Sequence, residues 1–377
     1  MHDPAQGAFY KPPLVRQACA ELAEVLTTGS EPQGDIFHQL RLSFFQENTM
    51  TVKQNAKYDI IGIGSPLMDY MVDADDALLS KLGLSLGSMK LIDQNESMAI
   101  RSLVSSRITS HIPGGSASNT VAGAALLGSK TAFMGSIGSD DEGELYISQT
   151  ERAGVTCLLK KHDALTGHAI AFITPGGERT FATHLGAAVN LVKEDVDVEA
   201  ISQSRILHVE GYLLEPPTSR EVAITAMEAA KKAKTLVSID VADSGLVARM
   251  SDSLKSLLRE YADILFMNDD EARAFSGFEN EDAARAAQKY AGIAIVKIGA
   301  EGSIIATENE TLRIKSYPVK LVNTNGAGDM YAAGFLHALA KGMTLDQAGR
   351  IGSYAASRVV GSVGARLDAR PDVESIL

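Results

Sequence analysis

From residue 58 to the carboxyl terminus, short apolar, β-branched runs alternate with longer stretches of helical spacing. Residues 58–64, 131–136, 205–209, 235–240, 263–267 and 293–297 read as strands, each followed by a segment long enough to be a crossover. Near-continuous apolar strands separated by helices predict an α/β fold: a mostly parallel central sheet with helices on both faces. Two regions, 71–92 and 156–185, carry shorter pieces instead. Within the second, residues 168–174 and 179–183 flank the turn Pro175-Gly176-Gly177 and predict a hairpin. Together the two regions predict a small second sheet over the main one. No internal repeat or low-complexity tract is present.

The first 57 residues break the pattern. They hold four of the eleven prolines and little periodicity outside 14–26, where Glu21 and Glu24 interrupt what would be the apolar core of a secretory signal. We expect a disordered extension, or a translation start placed ahead of a true one at Met50, with a targeting or docking arm as the alternative.

Composition narrows the function. The 377 residues are 45% hydrophobic and 22% charged, and 35 Lys and Arg against 47 Asp and Glu leave a net charge of −12. Such a molecule repels phosphate backbones and anionic lipid at long range, so nucleic acid and membrane are not expected partners. The two cysteines, Cys19 and Cys157, have no metal-ligand or disulfide-framework spacing, which fits a reducing, cytoplasmic setting. His162 and His168 are not at the i, i+4 spacing of a helical metal site, and no apolar run approaches the length of a membrane helix.

Several motifs carry candidate chemistry. Thr324-Asn325-Gly326-Ala327-Gly328-Asp329 precedes a small-residue helical pattern. The backbone N–H groups of Gly326, Ala327 and Gly328 can form an anion nest at the positive end of a helix. Asp329, in the first turn, either complements the dipole or takes a proton from an alcohol attacking a phosphoryl group. Pro113-Gly114-Gly115-Ser116-Ala117-Ser118-Asn119 lets a ligand approach the backbone, and the Asn119 amide suits vicinal hydroxyls, although close helix packing explains the same residues. Asp69, just past the first strand, stands where open α/β sheets bind ligands. Asn268 and Glu271 are spaced either as a capping box or as hard ligands for Mg²⁺. Gly299 to Gly302 is a glycine turn that can border a nucleotide. Gly62-Ile63-Gly64 begins like a dinucleotide fingerprint, but Leu67 replaces its third glycine and Pro66 disturbs the turn, which argues against a dehydrogenase; no Walker A sequence occurs.

In this order and spacing the motifs resemble the PfkB, or ribokinase-like, family of carbohydrate and nucleoside kinases, over about residues 58–370. Gly114-Gly115-x-x-x-Asn119 resembles the first family signature, Thr324 to Asp329 the second in its adenosine-kinase form, and Asn268-x-x-Glu271 the N-x-x-E motif. Bacterial adenosine kinase-like proteins also share patterns such as 174–179 and 210–217. The resemblance implies a ribokinase-like kinase domain over 58–377, with the two hairpin regions as a lid. It implies Asp329 as general base, with Gly326, Ala327 and Gly328 stabilising the transferring phosphoryl group. Asp69, Gly114, Gly115 and Asn119 would hold the acceptor. ATP would be bordered by Asn268, Gly299, Gly302, Thr324, Ser353 and Arg179, and Mg²⁺ organised by Asn268 and Glu271. A K⁺ site is a further family feature, but Asn323 stands where the family usually has Asp.

The resulting expectation is an ATP-dependent kinase acting on a primary hydroxyl of a ribose-containing nucleoside, adenosine to AMP. The alternatives are a ribose- or fructose-type sugar kinase and a catalytically silent nucleoside-binding protein, which would have no need of Asp329. Family members occur as monomers and homodimers, and the sequence does not choose between them.

Overall fold

The computed structural model describes residues 53, 55–175, 179–362, 364–367 and 369–377. The expected amino-terminal extension lies almost entirely outside the described residues, as do the two glycines of the 175–177 turn. Among the described residues the strands are β1 (Tyr58–Ile63), β2 (Leu67–Asp73), β3 (Met89–Leu91), β4 (Ile108–Gly114), β5 (Thr131–Gly138), β6 (Val155–His162), β7 (Gly167–Ile173), β8 (Arg179–His184), β9 (Ser204–Glu210), β10 (Leu236–Asp240), β11 (Ile264–Asn268), β12 (Ile293–Lys297), β13 (Ser303–Ala306) and β14 (Thr311–Ile314). The helices are α1 (Asp76–Lys81), α2 (Gln94–Val104), α3 (Ser116–Leu126), α4 (Asp141–Arg152), α5 (Val198–Ser202), α6 (Pro217–Ala233), α7 (Ser244–Tyr261), α8 (Asp269–Ser276), α9 (Asn280–Gln288), α10 (Ala327–Ala340) and α11 (Leu345–Val360).

Nine strands form one sheet in the order β14-β13-β12-β11-β10-β9-β1-β5-β6, parallel from β6 to β12, with an antiparallel edge at β13 and β14. Every residue of β1 and β5 is buried, as expected of strands covered on both faces. A second sheet of five strands has the order β3-β8-β7-β2-β4. The expected hairpin is its β7-β8 pair.

Membership of the second sheet differs from the expectation in two ways. Residues 156–162 were expected there, but β6 pairs in parallel with β5 at the edge of the large sheet. One exposed face gives an edge strand an alternating pattern, which periodicity cannot distinguish from that of a small separate sheet. Conversely β4, outside the expected boundaries, pairs antiparallel with β2 through the register Asp69↔Ile112 and Leu67↔Gly114. It delivers the chain from the second sheet directly into α3.

That junction depends on Gly115. Its φ of 91° is a conformation side chains avoid, and a Cβ there would stand 2.2 Å from Ser65 O. Gly128 has a similar φ of 104° but open space around it. We therefore expect Gly128→Ala to cost about 1–2 kcal/mol, the backbone term alone, and Gly115→Ala to cost clearly more. Paired denaturant melts check this; equal losses would show that the Ser65 contact relaxes freely.

Candidate active site

The parallel strands end together at one edge of the sheet, and four neighbouring ones end in a polar residue: Glu210 on β9, Asp240 on β10, Asn268 on β11 and Lys297 on β12. The helices that follow such strands begin at the same edge, presenting unpaired N–H groups and the positive ends of their dipoles.

Asp329 lies in the first turn of α10, whose N-cap is Gly326 at φ 75°. A Cβ on Gly326 would fall 2.3 Å from Ala365 O, so the loop after α11 and the start of α10 fit only with glycine here. One Asp329 oxygen accepts a hydrogen bond from Ser116 Oγ (2.8 Å) and the other from Asn119 Nδ2 (2.9 Å). Both donors sit in the first turn of α3, so two helix amino-termini meet on this carboxylate. Burial pushes its pKa up to about 6 despite these donors, and the Asp240 carboxylate adds to the rise. Of the three amides expected to form the nest, that of Ala327 donates to Thr324 O (3.2 Å) within the turn.

Asp69, on β2, is buried, and desolvation raises its pKa to about 7 against the pull of Arg366 and Arg179. Asp329 is close enough to add to that rise. Gly114 ends β4 beside it, paired with Leu67. Asn119, expected to face an acceptor, has its amide engaged at both ends: Oδ1 accepts from Arg366 Nε (2.8 Å) while Nδ2 donates to Asp329. One N–H and one lone pair remain for a ligand. Arg179, on β8, is half-buried within electrostatic reach of Asp69.

A second cluster adjoins the first. Lys297 Nζ pairs with Asp240 (2.8 Å). Burial disfavours its charge, yet Asp240, Glu271 and Asp329 more than reverse that and hold its pKa above the ordinary value. Asn268 and Glu271 form a complete capping box: Asn268 N donates to Glu271 Oε2 (2.7 Å), Glu271 N donates to Asn268 Oδ1 (2.8 Å), and Asn268 Nδ2 donates to Glu271 Oε1 (2.7 Å). Among the described residues no group of three acidic, histidine or cysteine side chains is placed to hold a metal ion. The pair therefore fits Mg²⁺ only through its water shell, with phosphate oxygens as the main ligands. Ser353 Oγ donates to Lys315 O (2.9 Å) inside the packing of α11, Thr324 is exposed, and Gly299 and Gly302 turn β12 into β13. Asn323 Nδ2 donates to Gly364 O (3.2 Å) and Asn323 Oδ1 accepts from Asn325 N (2.8 Å). The Asn323 amide thus takes one lone pair of the Gly364 carbonyl, and its neutral side chain brings no anionic oxygen for a monovalent cation.

Sequence reasoning missed Ser116, Arg366, Asp240 and the role of Glu210. Glu210 is buried, its Oε2 accepts from Ala117 N (3.2 Å), and it supplies the cap that Gly115 cannot. Burial raises its pKa to about 7. A polar residue ending each apolar run was the available signal for Glu210 and Asp240; no local pattern marks Ser116 or Arg366.

The sequence matches the pfkB family carbohydrate kinase description over residues 78–372. The chain belongs to that family, has its ribokinase-like fold, and is an ATP-dependent kinase. Adenosine kinase 2 of Arabidopsis thaliana is 26% identical over 347 residues, covering 84% of this chain and 99% of that protein. The 5-dehydro-2-deoxygluconokinase of Clostridium beijerinckii is 29% identical over 280 residues, covering 70% of this chain and 82% of that one. The crystal structure of adenosine kinase from Sinorhizobium meliloti superposes with a TM-score of 0.77 at 32% identity, covering 85% of this chain and 98% of that one. Similarity thus extends to both nucleoside and sugar kinases. No helix among the described residues is long and apolar enough to cross a membrane.

The raised pKa of Asp69 has a consequence for stability. Between pH 4 and 7 the folded state binds more protons here than the unfolded chain, so ionisation of Asp69 removes stability as the pH rises through that window. Asp69→Asn should therefore raise the ligand-free Tm at pH 8 and leave it nearly unchanged at pH 4. Calorimetry at the two pH values reads the difference, and a lower Tm at pH 8 would mean that the ionised carboxylate is stabilising.

Proposed function

We propose that this kinase transfers the γ-phosphoryl group of ATP to a primary hydroxyl of a ribose-containing nucleoside, with adenosine as the first candidate. The observation that carries the reading is the Asp329 carboxylate, fixed by Ser116 and Asn119 at the amino-terminus of α10. Asp329 takes the proton from the acceptor hydroxyl as its oxygen forms a bond to the γ-phosphorus and the bond to the β-phosphate oxygen breaks, leaving ADP. The amino-terminus of α10 and Lys297 balance charge on the phosphoryl oxygens. Asp69 accepts hydrogen bonds from ribose hydroxyls, and Asn119 supplies its remaining N–H. Asn268 and Glu271 would orient the waters of Mg²⁺, which when bound neutralises charge on the phosphates. The five-stranded sheet acts as the lid that keeps water from the reacting atoms, with Arg179 carried on it towards the phosphates.

The lid favours a nucleoside over a free sugar. Residues paired directly across a sheet share a face, and the face carrying Asp69 continues through Ile112, Ala169, Thr183 and Leu91, with Ser110, Met71, Ala171, Phe181 and Met89 in the adjoining row, a mostly apolar surface. A free sugar has hydroxyls on every side, whereas a planar base needs such an apolar wall beside the polar ribose site.

The test is ATP consumption with Mg²⁺ over a panel of adenosine, other nucleosides, ribose and fructose, for wild type and Asp329→Asn. We expect turnover of a nucleoside, reduced at least ~10²-fold in the variant. Full activity of Asp329→Asn would remove the general base, and reaction with free sugars alone would overturn the nucleoside assignment.

A further inference from the structure

An asparagine amide that faces a carboxylate must present its NH₂ end, because its oxygen would repel the anion. Nothing in Asn119 itself enforces this, since rotation by half a turn exchanges the two ends. The structure supplies an outside constraint. Arg366, in the loop after α11 and 247 residues away in sequence, donates from Nε to Asn119 Oδ1 (2.8 Å) and from Nη2 to Ser118 Oγ (2.8 Å). A guanidinium has no acceptor, so the end of the amide it touches can only be the oxygen, and the NH₂ end is turned to Asp329 Oδ2 (2.9 Å).

We propose that Arg366 is a positioning residue for phosphoryl transfer: its planar fork locks the Asn119 amide so that Asp329 always meets a donor and remains an ionised base. The inference rests on the reading of Asp329 as the base. Arg366 does not contact Asp329; it acts through Asn119. Its second arm holds the same helix turn in place. Tyr146 Oη lies 2.6 Å from Ser118 Oγ and 3.0 Å from Gly114 O. Since the carbonyl only accepts, the phenol donates to it and takes the Ser118 proton, leaving Ser118 Oγ to accept from Arg366.

The charged and titratable groups facing Asp329 are Asp69 from the lid, Glu210 and Tyr212 at the end of β9, Asp240 from β10 and Lys297 from β12. Carboxylates outnumber ammonium groups here, and the two donors on α3 are what hold Asp329 near pH 6. If the amide turns over, only Ser116 remains and an amide oxygen faces the anion, so protonation is favoured.

The experiment is the pH profile of kcat/KM, from pH 5 to 9, with the best acceptor of the panel. Arg366→Met is expected to move the acid limb up by about one pH unit, the worth of a hydrogen bond to an ionised group, so that activity falls roughly tenfold at pH 6 relative to pH 8. In an Asn119→Ala background the same substitution should move the limb no further, because Arg366 acts only through that amide. An additive shift, showing that Arg366 acts on Asp329 as a through-space charge, overturns the proposal, and so does an unmoved limb in the single variant. Where Arg366→Met does not give a folded protein, Arg366→Leu, which likewise has no donor for the Asn119 amide, takes its place with the same expectation. Asp329→Asn separates the two levels: if it is inactive and the Arg366 variant profile is unmoved, only this inference falls, whereas full activity of Asp329→Asn removes the base and the inference with it.

Discussion

Parallel βα units bring strand carboxyl ends and helix amino-termini to the same edge, and the site of this kinase is built from what that edge requires. Three helices, α3, α8 and α10, open there. Each meets an acid: Glu210 accepts from the first turn of α3, Glu271 closes the capping box of α8, and Asp329 lies within the first turn of α10. The positive helix ends therefore gather carboxylates into a space with little water. Burial penalises the charge of carboxylates so placed, mutual repulsion adds to it, and the pKa values of Asp69, Glu210, Glu271 and Asp329 are all raised. The remaining features of the crevice answer that crowding.

Two cations divide the work. Lys297 stands between Asp240, Glu271 and Asp329 and keeps its proton because of them. Arg366 stands on the opposite side, within reach of Asp69 and bonded to Asn119. Neither side is fully neutralised. A crevice in this state favours ligands that bring hydrogen-bond donors or positive charge, and under the proposed function these would be hydroxyl groups on the Asp69 side and hydrated Mg²⁺ carried with ATP on the Glu271 side. Burying ionisable groups in this way costs stability in the free protein, and it raises the proton affinity of Asp329 towards the range that the proposed role of general base would need.

The elements were legible where local pattern decides them. Runs such as 264–267 and 293–296 are apolar because both their faces are covered, and residues 114–119 and 324–329 keep small side chains because two helices must start close together. Pairing partners were not legible. β6 resembles a strand of a small sheet until its register with β5 is known, and β4 was hidden because half its residues are partly exposed and Pro113 blurs the alternation. The asparagine and glutamate at 268 and 271 satisfied two readings at once, and geometry shows the capping box complete without excluding a hydrated ion beyond it. Arg366 could not be singled out at all: an arginine in a terminal loop is ordinary until the fold sets it beside a residue 247 positions earlier.

The same terminal loop supports both halves of the crevice. Its Gly364 carbonyl accepts from Asn323, and its Ala365 carbonyl fills the space that only a glycine at 326 leaves open, so the turn opening α10 is shaped against it. One residue further, Arg366 crosses to α3, and from Ser118 the hydrogen bonds continue through Tyr146 to Gly114, the last residue of β4 in the five-stranded sheet. Gly115, whose positive φ lets β4 turn into α3, follows directly. The helix bearing Asp329, the helix bearing Ser116 and Asn119, and the junction of β4 with α3 are therefore braced by three consecutive loop residues. The relative position of Asp329 and its two donors is set by contacts that close only when residues 364–366 have packed against segments about 40 to 250 positions earlier in the chain.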